Sequence, residues 1–131
     1  MSRRESREQA FALLFEKAFN DRPVEELATD AVEARDLQPD AFTMALATGA
    51  EANLEAIDAQ IEANAHKWSK TRISKVALSV LRLAVFEMLY WDETPESVAI
   101  NEAVELAKKY GGDEDAAFIN GVLGGISRRQ E

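Results

Sequence analysis

Between Val76 and Trp91 the chain reads V-A-L-S-V-L-R-L-A-V-F-E-M-L-Y-W, and only Ser79, Arg82 and Glu87 interrupt the apolar run. A helix of this sequence is greasy on nearly every side and needs neighbours around most of its circumference, so the rest of the chain must be organised as its shell. A membrane span would require about 20 apolar residues and would not carry an arginine and a glutamate in mid-segment. The run therefore predicts a central core helix with Leu81, Val85 and Leu89 deeply buried. At about 100° per residue, Lys75, Ser79, Arg82 and Phe86 fall on one narrow stripe, which is the face expected to turn toward solvent or a partner. Phe86 on that stripe reads either as a docking aromatic or as a ring packed under a neighbouring segment, and packing is the commoner fate of such a ring.

Helical periodicity continues on both sides of this run. Ser2 and Glu5 stand at capping-box spacing ahead of Ala10, Phe11, Leu14, Phe15 and Ala18, which predicts an amphipathic first helix. Pro23 reads as a first-turn proline for a short second helix carrying Val24, Leu27, Ala28, Ala31 and Val32. After Pro39, the series Phe42, Ala45, Leu46, Gly49, Ala50, Leu54, Ile57 and Ile61 predicts one long third helix ending near His66-Lys67-Trp68. Gly49 within it costs roughly 1 kcal/mol relative to alanine and so marks a close helix–helix approach. Beyond the loop Trp91–Pro95, Val98, Ile100, Ala103, Val104, Leu106 and Ala107 form a fifth helix that closes at Gly111-Gly112. A last helix runs from about Asp115 to Gly124-Gly125, with Gly121 expected to let a neighbouring helix approach. No long stretch alternates with period two. The expected fold is all-α, a single domain over 1–131 built from two abutting three-helix blocks, about 1–67 and 68–131, that share a core.

Several chemistries find no foothold in this composition. Cysteine is absent and His66 is the single histidine, so thiolate sites, metal clusters and acyl-transfer triads lack their parts. No cofactor, no metal site and no enzymatic activity are expected. The first residues are basic but lack an apolar core and a small-residue cleavage site, so no secretory signal is read there and a cytoplasmic location is expected. The formal charge is −9, which opposes non-specific coating of nucleic acid. From Asp21 to Asn64 there are eleven acidic residues against Arg22 and Arg35 alone. Any polyanion contact must therefore be local, through the amino-terminal arginines, the basic run Lys67, Lys70, Arg72 and Lys75, or both. Arg3, Arg4 and Arg7 lie at the positive end of the first helix dipole, where cations gain the helix nothing. That points to a job outside the helix or to a solvated terminus.

Four segments, taken in order, resemble the NusB family of bacterial transcription antitermination factors. They are Arg3-Arg4-x-x-Arg7-Glu8-x-Ala10-x-x-Leu13-Leu14-Phe15, the segment Leu81 to Leu89 (L-R-L-A-V-F-E-M-L), the segment Val98 to Lys108 (V-A-I-N-E-A-V-E-L-A-K), and Phe118 to Leu123 (F-I-N-G-V-L). The resemblance implies two abutting three-helix bundles and binding of single-stranded boxA RNA together with NusE, a small-subunit ribosomal protein. It further implies a place in the antitermination complex of RNA polymerase, notably on ribosomal RNA operons.

Residue by residue, the family's arginine-rich arm falls on Arg3, Arg4 and Arg7, which would grip phosphates. Phe15 stands where the family often has tyrosine and keeps the ring without the hydroxyl. Phe118 matches an aromatic near the RNA surface. Ala117, Glu5 and Ala77 replace a lysine, an arginine and an acidic NusE contact found in some members. Lys75, Ala77 and Phe86 are the expected partner surface. Arg82, Asn101 and Glu102 read as structural, with Glu102 or Glu87 as the carboxylate for Arg82. An arm of purely surface arginines also implies that changing Arg3, Arg4 and Arg7 to alanine leaves thermal stability unaltered. The alternative function is a helical interaction module or homodimer with the RNA face covered. Related domains fused to ribosomal RNA cytosine methyltransferases give a weaker third reading, since the chain is too short for a catalytic domain.

Overall fold

A computed structural model describes residues 1–34, 37–65 and 73–129. The described residues form seven helices: α1 (Arg3–Phe19), α2 (Val24–Glu33), α3 (Ala41–Ala52), α4 (Leu54–Asn64), α5 (Lys75–Tyr90), α6 (Glu96–Tyr110) and α7 (Asp113–Arg129). No strand occurs among them, as the periodicity requires, and none of these helices is long and apolar enough to cross a membrane.

The apolar run is the axis of the molecule. Every residue of α5 from Ala77 to Glu87 is buried, and the helix packs against α1, α3, α4, α6 and α7. Leu81 and Val85 are fully buried, whereas Leu89 lies only partly buried near the helix end. The stripe expected to face solvent does not do so. Ser79, Arg82 and Phe86 are all buried, and Lys75 alone is exposed. The polar members are absorbed by local and long-range bonds: Ser79 Oγ donates to the Lys75 carbonyl at 2.7 Å, and Arg82 makes a two-pronged pair with Asp58 of α4 at 3.0 and 2.9 Å. Asp58, rather than Glu102 or Glu87, is thus the carboxylate for Arg82.

Phe86 is covered because α3 presents a glycine to it. A Cβ on Gly49 would lie 2.2 Å from Phe86 Cζ, so the close approach expected at Gly49 is real and its occupant is the Phe86 ring. Gly121, by contrast, faces open space, and Gly125 is the glycine of α7 that lets Asn64 of α4 approach. The glycine pair Gly124-Gly125 does not end the last helix, which continues to Arg129 and begins at Asp113.

The expected long third helix is two helices broken at Asn53, whose backbone (φ −114°, ψ 18°) is not helical. Asn53 closes α3 by donating its side-chain amide to the Gly49 carbonyl at 2.9 Å, and its own carbonyl accepts from Ile57 N–H at 2.9 Å to start α4. Asparagine competes with helical bonding in this way, so the break falls at a residue whose side-chain amide takes up a carbonyl at the end of α3. The first block therefore carries four helices. Pro23 sits just ahead of α2 as its cap, one position before the first turn. His66, Lys67, Trp68, Lys70 and Arg72 lie outside the described residues.

Candidate nucleic-acid interface

The amino end of α1 is set by its own sequence. Ser2 Oγ accepts from Glu5 N–H at 3.1 Å while the Glu5 carboxylate accepts from Ser2 N–H, completing the predicted capping box. The helix is tied to α3 through Ser6 Oγ, which donates to Asp40 at 2.8 Å, and Asp40 in turn caps α3 by accepting from Thr43 N–H at 2.8 Å. The Thr43 N–H and then the Ser6 hydroxyl, against some burial, hold the Asp40 carboxyl below the usual range.

On this fixed helix end the three arginines have three different fates. Arg3 lies over the Phe42 ring at 3.8 Å from its centroid, and Phe42 packs edge-on against Trp91 with centroids 5.4 Å apart. Arg4 reaches α6, giving Glu102 bonds of 3.2 Å from Nε and 2.9 Å from Nη2, yet its side chain stays 65% exposed. Arg7 is buried. It grips Glu87 of α5 with Nε at 2.9 Å and Nη2 at 2.6 Å, and its Nη1 stands 3.4 Å from Glu102. The hydrogen bond to Glu87 outweighs burial and raises the Arg7 guanidinium further above its ordinary value. Glu87 is only 2% exposed, so Arg7 is the counter-charge that makes a buried carboxylate tolerable.

One stripe of α1 carries rings at every fourth residue. Phe11, Phe15 and Phe19 follow one another with centroids 5.7 and 5.0 Å apart, and Tyr110 at the end of α6 continues the row 4.9 Å from Phe11. The row emerges gradually: Phe11 is buried, Phe15 half-buried, and Phe19 is 66% exposed. A cation stands by each end, Lys75 Nζ 6.0 Å from the Phe19 ring and Lys109 Nζ 5.5 Å from that of Tyr110. Glu8 accepts from both Lys109 and the Tyr110 hydroxyl, the latter at 2.9 Å. The Lys109 bond leads in lowering the Glu8 carboxyl, and burial opposes it. Aromatic planes with cations close by are the parts from which single-stranded nucleic acid is bound, by base stacking and phosphate contact. Among the described residues no group of three or more histidines, cysteines, aspartates or glutamates is arranged to hold a metal ion.

Residues 4–128 match the model of the NusB family. The chain belongs to the NusB family. The transcription antitermination protein NusB of Clostridium novyi is 41% identical over 130 residues, covering 96% of this chain and 98% of its own. That of Natranaerobius thermophilus is 40% identical over 134 residues, covering 98% and 96%. Among solved structures, T. maritima NusB superposes with a TM-score of 0.84 at 34% identity, covering 98% of this chain and 92% of that one. A crystal structure of the antitermination factors NusB and NusE in complex with dsRNA gives 0.85 at 28% identity, covering 97% and 96%.

Against the NusB pattern, Arg3, Arg4 and Phe15 all lie on α1, with Arg3 over Phe42, Arg4 on Glu102 and Phe15 between Phe11 and Phe19. Phe118 lies half-buried on α7, packed against the core. Arg7 is withdrawn from the arm, because it sits one helical turn deeper, between Arg3 and Arg4 in angle, where Glu87 meets it. On the expected partner surface only Lys75 is accessible; Ala77 is buried in the α5 packing and Phe86 under Gly49. Glu102 meets Arg4 and Arg7 rather than Arg82, and Asn101 is exposed. Phe19, Tyr110, Lys109 and Glu8 join the site only in the folded chain. The fourfold spacing of Phe11, Phe15 and Phe19 is the one signal of them in the sequence, since it places three rings on one stripe.

Proposed function

We propose that this chain is a transcription antitermination factor that binds boxA-type single-stranded RNA together with NusE and so helps RNA polymerase read through terminators in ribosomal RNA operons. The observation that carries this reading is the ring row of α1, ending in exposed Phe19 beside Lys75, on a chain that matches the NusB family from residue 4 to residue 128. The solved NusB–NusE–dsRNA complex of the same fold supports it. In this reading Arg3 and Arg4 hold phosphates, Phe15 and Phe118 pack against bases, and Lys75 serves where RNA and partner meet. Arg7 holds the helix that presents them. The protein acts in the cytoplasm as an adaptor and takes no cofactor.

A body of net charge −9 binds RNA weakly alone, and a cationic ribosomal protein beside it extends the positive track. RNA and NusE then raise each other's affinity by the same factor. Titration of a boxA-type oligonucleotide into the chain, with and without NusE, measures this. Tighter RNA binding in the presence of NusE supports the adaptor; NusE and RNA binding without coupling rejects it.

A further inference from the structure

Between α1 and α6 lies a recess of about 190 Å³ lined by Arg4, Arg7, Glu8, Glu102, Glu105, Leu106 and Lys109. Three cations face three carboxylates there, so the recess as a whole offers a phosphate no net attraction. We propose that Glu102 is a built-in competitor for RNA phosphate: it occupies Arg4 in the free protein and yields it when RNA binds. The proposal rests on the RNA-binding reading above and adds to it a residue that sets how much that binding gains.

Of the two arginines that meet Glu102, the geometry favours exchange at Arg4 and not at Arg7. Arg4 is mostly exposed while Glu102 is held at 16% exposure on α6, so a phosphate can approach the guanidinium from solvent without disturbing the helix packing. Glu102 is not stranded when Arg4 leaves, because Arg7 Nη1 already stands 3.4 Å away and provides a second counter-charge. Arg7 itself cannot follow, since its Nε and Nη2 are committed to Glu87. Exposed ion pairs shift an equilibrium constant by only roughly one- to five-fold. Glu102 is thus a restraint that RNA can overcome, and one whose removal is measurable.

The test is a double-mutant cycle read by RNA affinity at low ionic strength, with a labelled boxA-type single-stranded oligonucleotide as probe and thermal melting of each chain alongside. Glu102→Gln keeps a carbonyl oxygen for the Arg7 N–H while removing the charge that holds Arg4. It is expected to tighten RNA binding roughly two- to five-fold. In an Arg4→Ala background the same change is expected to give no more than the small gain of removing any one recess carboxylate. Glu105→Gln removes a recess charge that acts on Arg4 only at a distance, and its gain must be smaller. Should Glu102→Gln fail to fold, Glu102→Asp draws the carboxylate back by one methylene and must show the same dependence on Arg4. Unchanged or weaker binding by the Glu102 variants, or a gain that persists in full without Arg4, overturns the role of Glu102 alone. A wild-type chain that binds no RNA removes the adaptor reading and the competitor with it.

Discussion

Arg4 and Arg7 are three residues apart on one helix, and each bonds a carboxylate with two guanidinium nitrogens, yet they belong to different regions of the molecule. Arg4 sits on the rim, where water screens its pair with Glu102 and little stability is at stake. Arg7 sits in the seam between α1 and α5, where Glu87 is shut off from water and cannot do without it. One turn of helix separates a cation available to a ligand from one that the fold consumes. A run of arginines in sequence is therefore not yet a binding arm; depth decides which of them can reach a phosphate.

The largest effect expected from this contrast is at Arg7. Arg7→Ala leaves Glu87 buried without its partner and should destabilise the protein by about 3–5 kcal/mol in denaturant unfolding. A loss below about 1 kcal/mol would show that Glu87 finds water or another cation and that the two arginines are not so different. The same result bears on the triple alanine change of Arg3, Arg4 and Arg7, which must lower the melting temperature through Arg7 rather than leave it unaltered.

Leu81→Ala tests the seam from the apolar side. Leu81 is fully buried in α5, so the truncation should cost about 2–5 kcal/mol. A value under about 0.5 kcal/mol, the range of surface substitutions, would mean that the helix is not the axis of the core.

How far these features were legible follows from how local they are. The core helix was plain because its own sixteen residues are apolar on nearly all sides. The capping box at Ser2 was plain because both partners lie within one turn. The Arg7–Glu87 pair spans 80 positions, and nothing near Arg7 announces a carboxylate from α5. The stripe on α5 misled for the same reason. Serine and arginine look solvent-facing until the carbonyl of Lys75 and Asp58 of α4 are brought to them, and the packing read for Phe86 finds its cover only when Gly49 arrives. Asn53 broke the third helix because its side-chain amide takes up the Gly49 carbonyl, an effect hidden beneath an apolar pattern that runs on through it.

A smaller effect is expected at Asp40, which joins α1 to α3 through Ser6 and the Thr43 N–H. Asp40→Ala should cost about 1 kcal/mol as a lost cap. Because the folded carboxyl is held below its unfolded value, its contribution is fully present above the unfolded value, about pH 4, and is lost as pH falls through the folded one. In acid unfolding the wild type should therefore converge on Asp40→Ala at low pH. A difference between them that persists below both values would show that the cap does not depend on charge.

The division between rim and seam is tested most directly by the salt dependence of RNA binding in the Arg3→Ala, Arg4→Ala double variant. With two fewer phosphates of a single strand neutralised, the slope of log affinity against log salt should fall by about 1.4, while the melting temperature stays close to that of the wild type. An unchanged slope with unchanged affinity would take both arginines out of the RNA site and leave the exposed end of α1 without the role assigned to it.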